Sequence, residues 1–153
     1  MPRRSDPRIE LLLDMLDRSF DKPGWQGPNL ANSFRGVSAQ DAARRLPGRK
    51  GIWEQLLHTA YWKQRVINLL IGTQKFPRAG SNWPKLPEKI TNRAWKEDQA
   101  LLHEIHRNLR RAVASIPARE LDDRRARLIF GSACHDMYHA GQVRLLRKMQ
   151  SGR

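Results

Sequence analysis

Apolar residues recur at helical spacing through four long stretches of the chain and at strand spacing through none. Ile9, Leu12, Leu13, Leu16 and Phe20 share one face of a helix over 7–20, with Ser5 or Asp6 as its cap and Pro7 in the first turn. Residues 21–37, rich in Pro, Gly and Asn, read as irregular, and Ser38 then caps a short helix over 38–45 that Pro47-Gly48 ends. From Ile52 to Gly72 the residues Trp53, Leu56, Leu57, Tyr61, Trp62, Val66, Leu69 and Leu70 cover much of a helical circumference, which predicts a well-buried helix. Thr91 or Asn92 caps a third long helix that carries Trp95, Leu102, Ile105, Leu109, Val113 and Ile116 and stops at Pro117. Asp122 or Asp123 starts the last, which runs to about Gln150 and has Arg144, Arg147 and Lys148 where the helix dipole favours cations.

The connections constrain how these helices assemble. Residues 73–90 hold Pro77, Gly80, Pro84 and Pro87 and cannot be helical. Fully extended, such a segment spans roughly 60 Å, about twice the length of a twenty-residue helix, so it can cross from one end of a bundle to the other. The connection after Pro117 is short, which predicts antiparallel neighbours. The expectation is one all-α domain over residues 1–153, a four-helix bundle that departs from simple up-down-up-down order.

Polar residues interrupt the apolar stripe of the last helix at one place, Cys134-His-Asp-Met-Tyr-His-Ala-Gly-Gln142. Four residues apart, His135 and His139 fall about 40° apart on a wheel, and Leu128, Gly131, Ser132, Gln142 and Leu146 lie within about 60° of His135. Both imidazoles therefore sit on the stripe read as buried, where a polar group needs a partner and where two histidines can grip a metal ion. Asp136, about 100° from His135, falls at the stripe's edge, placed to orient a neighbouring group, and Cys134 reads as a small structural thiol.

Nothing after His139 can serve as a third ligand, so it must come from upstream: His58, His103, His106 or a carboxylate. His58 is the first choice, because it lies on the most apolar helix, with Glu54, Tyr61, Trp62, Arg65 and Leu69 within about 60° of it. His106 lies about 40° from the centre of the Leu102, Ile105, Leu109 stripe and is a weaker candidate; His103, about 100° away, reads as solvated. His135-Asp-Met-Tyr-His139 also has the outline of a two-histidine metalloprotease helix. There, however, Asp would replace the Glu base and a downstream ligand would be missing.

Together these blocks resemble the DinB-like (YfiT-like) metal-dependent proteins. The resemblance rests on Ser38-Ala-Gln-Asp-Ala-Ala43, Gly51-Ile-Trp-Glu-Gln-Leu-Leu-His58 with Tyr61-Trp62, Asn82-Trp-Pro84, Trp95 and His135-Asp-Met-Tyr-His-Ala-Gly-Gln142, and covers essentially the whole chain. It implies a four-helix bundle in up-down-down-up order, with its long crossover between the second and third long helices. It further implies a divalent metal, zinc or nickel, on His58, His135 and His139. Some relatives in that family use a low-molecular-weight thiol, which extends the expectation to a thiol S-transferase or a hydrolase.

Three imidazoles leave a coordination position open, as catalytic metal sites do. Such a site activates a bound thiol or water against a small electrophile, with Gln142, Tyr61, Arg65 and Glu54 as candidate substrate contacts or supports. Composition widens the choice. A formal charge of +14, from 29 Lys plus Arg against 15 Asp plus Glu, favours anionic small molecules. It also admits a non-catalytic, stress-associated metal-binding module or a nucleic-acid-binding one, although no nucleic-acid motif organises the basic residues. A homodimer through an apolar bundle face is a further expectation. One cysteine, no secretory signal and no membrane-length apolar run point to a cytoplasmic protein with no membrane partner.

Overall fold

A computed structural model describes residues 6–152, and within them the protein is all-helical with no named strand. The order is α1 (Pro7–Phe20), α2 (Leu30–Ser33), α3 (Ala39–Ala43), α4 (Ile52–Ile71), α5 (Asn92–Ala114), a 3-10 turn (Ala118–Glu120) and α6 (Asp123–Gln150). Ser5, one of the two residues expected to cap α1, lies outside the described residues. Among the described residues no helix is long and apolar enough to cross a membrane.

Local chemistry sets where the helices begin. Asp6 accepts the Arg8 N–H at 2.9 Å, Ser38 the Asp41 N–H at 3.1 Å, Thr91 the Ala94 N–H at 3.1 Å and Asp122 the Arg125 N–H at 2.8 Å. α4 has glycine at this position and relies on Glu54, whose carboxylate accepts the Gly51 N–H at 2.8 Å. The short α2 escapes sequence reading because four residues are too few to show a period. Its Asn29 cap and fully buried Leu30 turn part of the expected irregular stretch into structure.

Helix faces then pack around a common core. α1 buries Ile9, Leu12, Leu16 and Phe20, and α5 buries Trp95, Leu102, Ile105, Leu109 and Val113, both at the three-and-four spacing of one helical face. α4 touches α5 and α6, and α1 touches the same two helices from the other side. Every residue from Gly51 to Ala60 is buried. α4 is well buried as expected through Ala60; beyond it Trp62, Leu69 and Ile71 are exposed, and burial narrows to the face of Lys63, Gln64, Val66 and Ile67.

α6 brings a second correction. Its buried residues are Ile129, Ser132, Ala133, Asp136, His139, Ala140, Val143 and Leu146, so the stripe is centred on Asp136 rather than on the two histidines. Asp136 is fully buried, His139 is buried, and His135 is half-buried at the rim, while Gly131 faces out. The small and branched residues Ala133, Ala140 and Val143 set the helix's rotation, because they let α6 approach its neighbours closely.

Candidate metal centre

α4 and α6 bring His58, His135 and His139 together, one ligand atom from each lying within 4.8 Å of the others. The Nε2 atom of His135 is 3.2 Å from that of His58 and 3.1 Å from that of His139. Neighbouring nitrogens around a tetrahedral zinc, at bond lengths of about 2.0–2.1 Å, stand about 3.4 Å apart. His135 is thus at nearly ligand-set spacing from each of the other two imidazoles.

The other ring nitrogens determine which protons are present. His58 Nδ1 lies 2.6 Å from the Asn82 carbonyl oxygen, and His139 Nδ1 lies against the Gln55 side-chain oxygen. Both partners only accept, so each Nδ1 carries the proton and each Nε2 presents a bare lone pair to the shared centre. His135 can place at most one proton between them. At least one lone pair in the trio therefore has no proton to meet, and a cation at the centre satisfies all three. The donor set fits a divalent metal on this ground, and the Gln55 and Asn82 oxygens are supports of the kind that fix metal-binding histidines.

Electrostatics keeps the ligands neutral. Burial, followed by the neighbouring His58 and then Lys63, pushes His135 down to about 4. Burial, with His135 and His58 beside it, pushes His139 down to about 3. Burial also lowers His58, against the opposing pull of the Asn82 carbonyl. At neutral pH all three are neutral imidazoles, as metal ligation requires.

The crossover supplies part of this site. Trp83 stacks on His58 with ring centroids 3.9 Å apart, and Trp62 Nε1–H donates to the Asn82 side chain at 2.9 Å. Asn82 adopts a left-handed backbone conformation, φ 56°, a region asparagine tolerates better than most residues. The sequence offered only Asn82-Trp-Pro84 as a block, with no period to show where it points. Gln55 was legible only as a buried-helix residue one turn before His58.

The remaining sequence candidates divide. Gln142 lines the open cleft above the histidines, together with Tyr138, Trp83, Arg49 and Lys50. Tyr61, Arg65 and Glu54 do not line it. Tyr61 packs edge-on against Phe76, Arg65 is exposed two turns along α4, and Glu54 is occupied with the Gly51 N–H and Arg45. A helical wheel shows angle but not height along the axis, and these residues share the His58 angle at the wrong height. His106 is also elsewhere, stacked on Phe20 at 3.8 Å, and His103, read as solvated, is half-buried edge-on to the same ring at 5.0 Å. Comparison with protein-family models, with curated proteins and with solved structures finds no match to this chain.

Proposed function

We propose that the protein is a metal-dependent enzyme in which His58, His135 and His139 hold a divalent ion, zinc or nickel, with a coordination position open to the cleft. The observation that carries this reading is the convergence of three neutral imidazoles, two of them made Nε2 lone-pair donors by oxygens behind their rings. Bound there, the metal supplies a Lewis acid that activates a thiol or water against a small electrophile, in a reaction of thiol-transferase or hydrolase type. The chain's own residues do the rest. Gln55 and the Asn82 carbonyl hold the rings, Trp83 covers His58, and Gln142 faces the open side, where a ligand enters.

The same reading takes the chain as a DinB-like bundle in up-down-down-up order, and pairs of contacts support it. Arg8 to the Ala118 carbonyl and Ser19 to Asp136 suit α1 and α6 running in one sense. Trp53 to Asp98 and Lys63 to His106 suit the same for α4 and α5. Gln55 to His139 and Lys63 to Asp136 suit α4 and α6 running oppositely. A crossover over 73–90 is what two consecutive parallel helices require.

Metal analysis of protein purified without a histidine tag tests the centre. We expect a divalent ion in the wild type and its loss in His139→Ala, with helical content retained. A metal-free wild type that takes up neither zinc nor nickel on addition would overturn the reading. Loaded protein assayed with small electrophiles, with and without an added thiol, then separates thiol transfer from hydrolysis.

A further inference from the structure

The histidine centre opens on a cleft of about 460 Å³ whose wall, among the described residues, carries two cations, Arg49 and Lys50, and no aspartate or glutamate. With a formal charge of +14, surface cations are common in this chain, so their number carries no argument. Their placement does. Both lie on the turn before α4, and that turn is fixed. The Glu54 carboxylate accepts the Gly51 N–H at 2.8 Å and is gripped by Arg45. A Cβ at Gly51 would stand 3.2 Å from the carbonyl oxygens of both Ala42 and Arg44, so the turn lies close against the end of α3 with little room for a side chain.

The carboxylate nearest the pair is largely committed elsewhere. Glu54 already bonds Arg45 and the Gly51 amide, and Lys50 Nζ reaches it only at 3.5 Å. Arg49 joins none of the ion pairs among the described residues. Lys50 Nζ instead stands 5.4 Å from the ring centroid of Trp83, the ring on which His58 is stacked. The Trp83 indole thus lies against both the ammonium and a metal-facing imidazole.

We propose that this cleft takes a small organic anion held at two points, its donor head at the histidine centre and a carboxylate at Arg49 and Lys50, with Trp83 along one side. This rests on the metal reading above and adds to it the charge of the ligand and the residues that read it. A guanidinium offers a carboxylate two parallel N–H bonds, and an ammonium beside it adds a point charge. A cleft walled by low-dielectric aromatic rings strengthens both. The arrangement selects against cationic ligands, because the bound metal, Arg49 and Lys50 all repel them.

Three hydroxamates with a common metal-binding head and different tails test the assignment on the cobalt(II)-loaded protein, followed by the metal's visible absorption. The tails are those of succinic monohydroxamate (carboxylate), butyrohydroxamate (neutral) and β-alanine hydroxamate (ammonium). We expect the carboxylate probe to bind about tenfold tighter than the neutral one and the ammonium probe to bind weakest, the preference shrinking as salt is added. R49Q/K50Q should bind cobalt as the wild type does and lose the preference. K96Q/R107Q, which removes the same charge from exposed positions on α5, should keep it. Equal affinity for all three probes in the wild type, or a preference that survives R49Q/K50Q, overturns the proposal. If the wild type takes up neither cobalt nor zinc nor nickel, the metal reading fails by itself, and titration with succinate against succinamide, read on the Trp83 indole N–H resonance, decides the anion site. A succinate-specific shift abolished by R49Q/K50Q upholds it, and no shift removes it.

Discussion

Two polar clusters lie side by side between α4 and α6, and they are built on opposite principles. In one, His58, His135 and His139 turn ring nitrogens toward a shared centre beneath an open cleft, those of His58 and His139 bare. In the other, the Lys63 ammonium, 1% exposed, meets the fully buried Asp136 carboxylate at 2.5 Å. Lys63 also lies 3.3 Å from His106 Nδ1, and Ser19 Oγ donates to Asp136 at 3.4 Å. At the far edge Asp17 pairs with Lys22 and Arg110. His135 and Asp136 are consecutive residues, one in each cluster. Burial and polarity alone therefore do not mark a site. The first cluster is distinguished by three imidazoles converging on one point and by access; the second sets its charges against one another in a closed interior, where Asp136 Oδ1 and His106 Nε2 are left without hydrogen-bond partners.

The sharpest way to break this comparison is to remove one charge from the closed cluster. Lys63→Met leaves the Asp136 carboxylate buried and uncompensated and should cost about 3–5 kcal/mol in urea denaturation of the metal-free protein. Replacing both partners, as Lys63→Met with Asp136→Leu, should recover most of that loss, because the desolvation penalty disappears along with the attraction. A double variant no more stable than the single one would mean that the pair does more than neutralise itself.

A smaller effect belongs to the open cluster. Gln55→Ala removes the oxygen behind His139 and should weaken metal binding by about 10–100-fold, measured by competition with a chelator, while changing helical content little. An unchanged affinity would show that His139 is held by packing alone.

The smallest effect is a pH slope. Burial, reinforced by Lys63 and Arg110, pushes His106 down to about 2, below the ordinary value of 6.5. The unfolded chain therefore takes up a proton on His106 that the folded chain refuses. The resulting stability is fully present above about pH 6.5 and is lost as pH falls below it. His135 and His139, lowered to about 4 and about 3, act in the same direction in the metal-free protein. In urea melts at pH 7 and pH 5, His106→Gln should lose less stability than the wild type over that interval. An identical loss in the two proteins would remove His106 from the account.

Much of the frame is legible from local chemistry. The caps at Asp6, Ser38, Thr91 and Asp122 and the stops at Pro23, Pro47 and Pro117 follow from single residues, and the bounds of the four long helices lie within about two residues of those the pattern suggests. That His135 and His139 share a face follows from their spacing. Harder to read was which face of α6 is innermost. Polar residues drew attention to the histidines, whereas Ala133, Ala140 and Val143 placed Asp136 at the centre.

The sequence by itself determined that this chain is helical, where each long helix starts and ends, and that two imidazoles project together from the last. Backbone hydrogen bonding, capping and periodicity act over a few residues, and the sequence displays them directly. Tertiary structure decided the rest: that His58 lies within hydrogen-bond distance of His135, that Lys63 rather than a metal answers Asp136, and that the proline-rich crossover lays Asn82 and Trp83 on His58. These depend on how each helix rotates and slides against its neighbours, which is set by the summed packing of the whole core and leaves no periodic trace in any one segment.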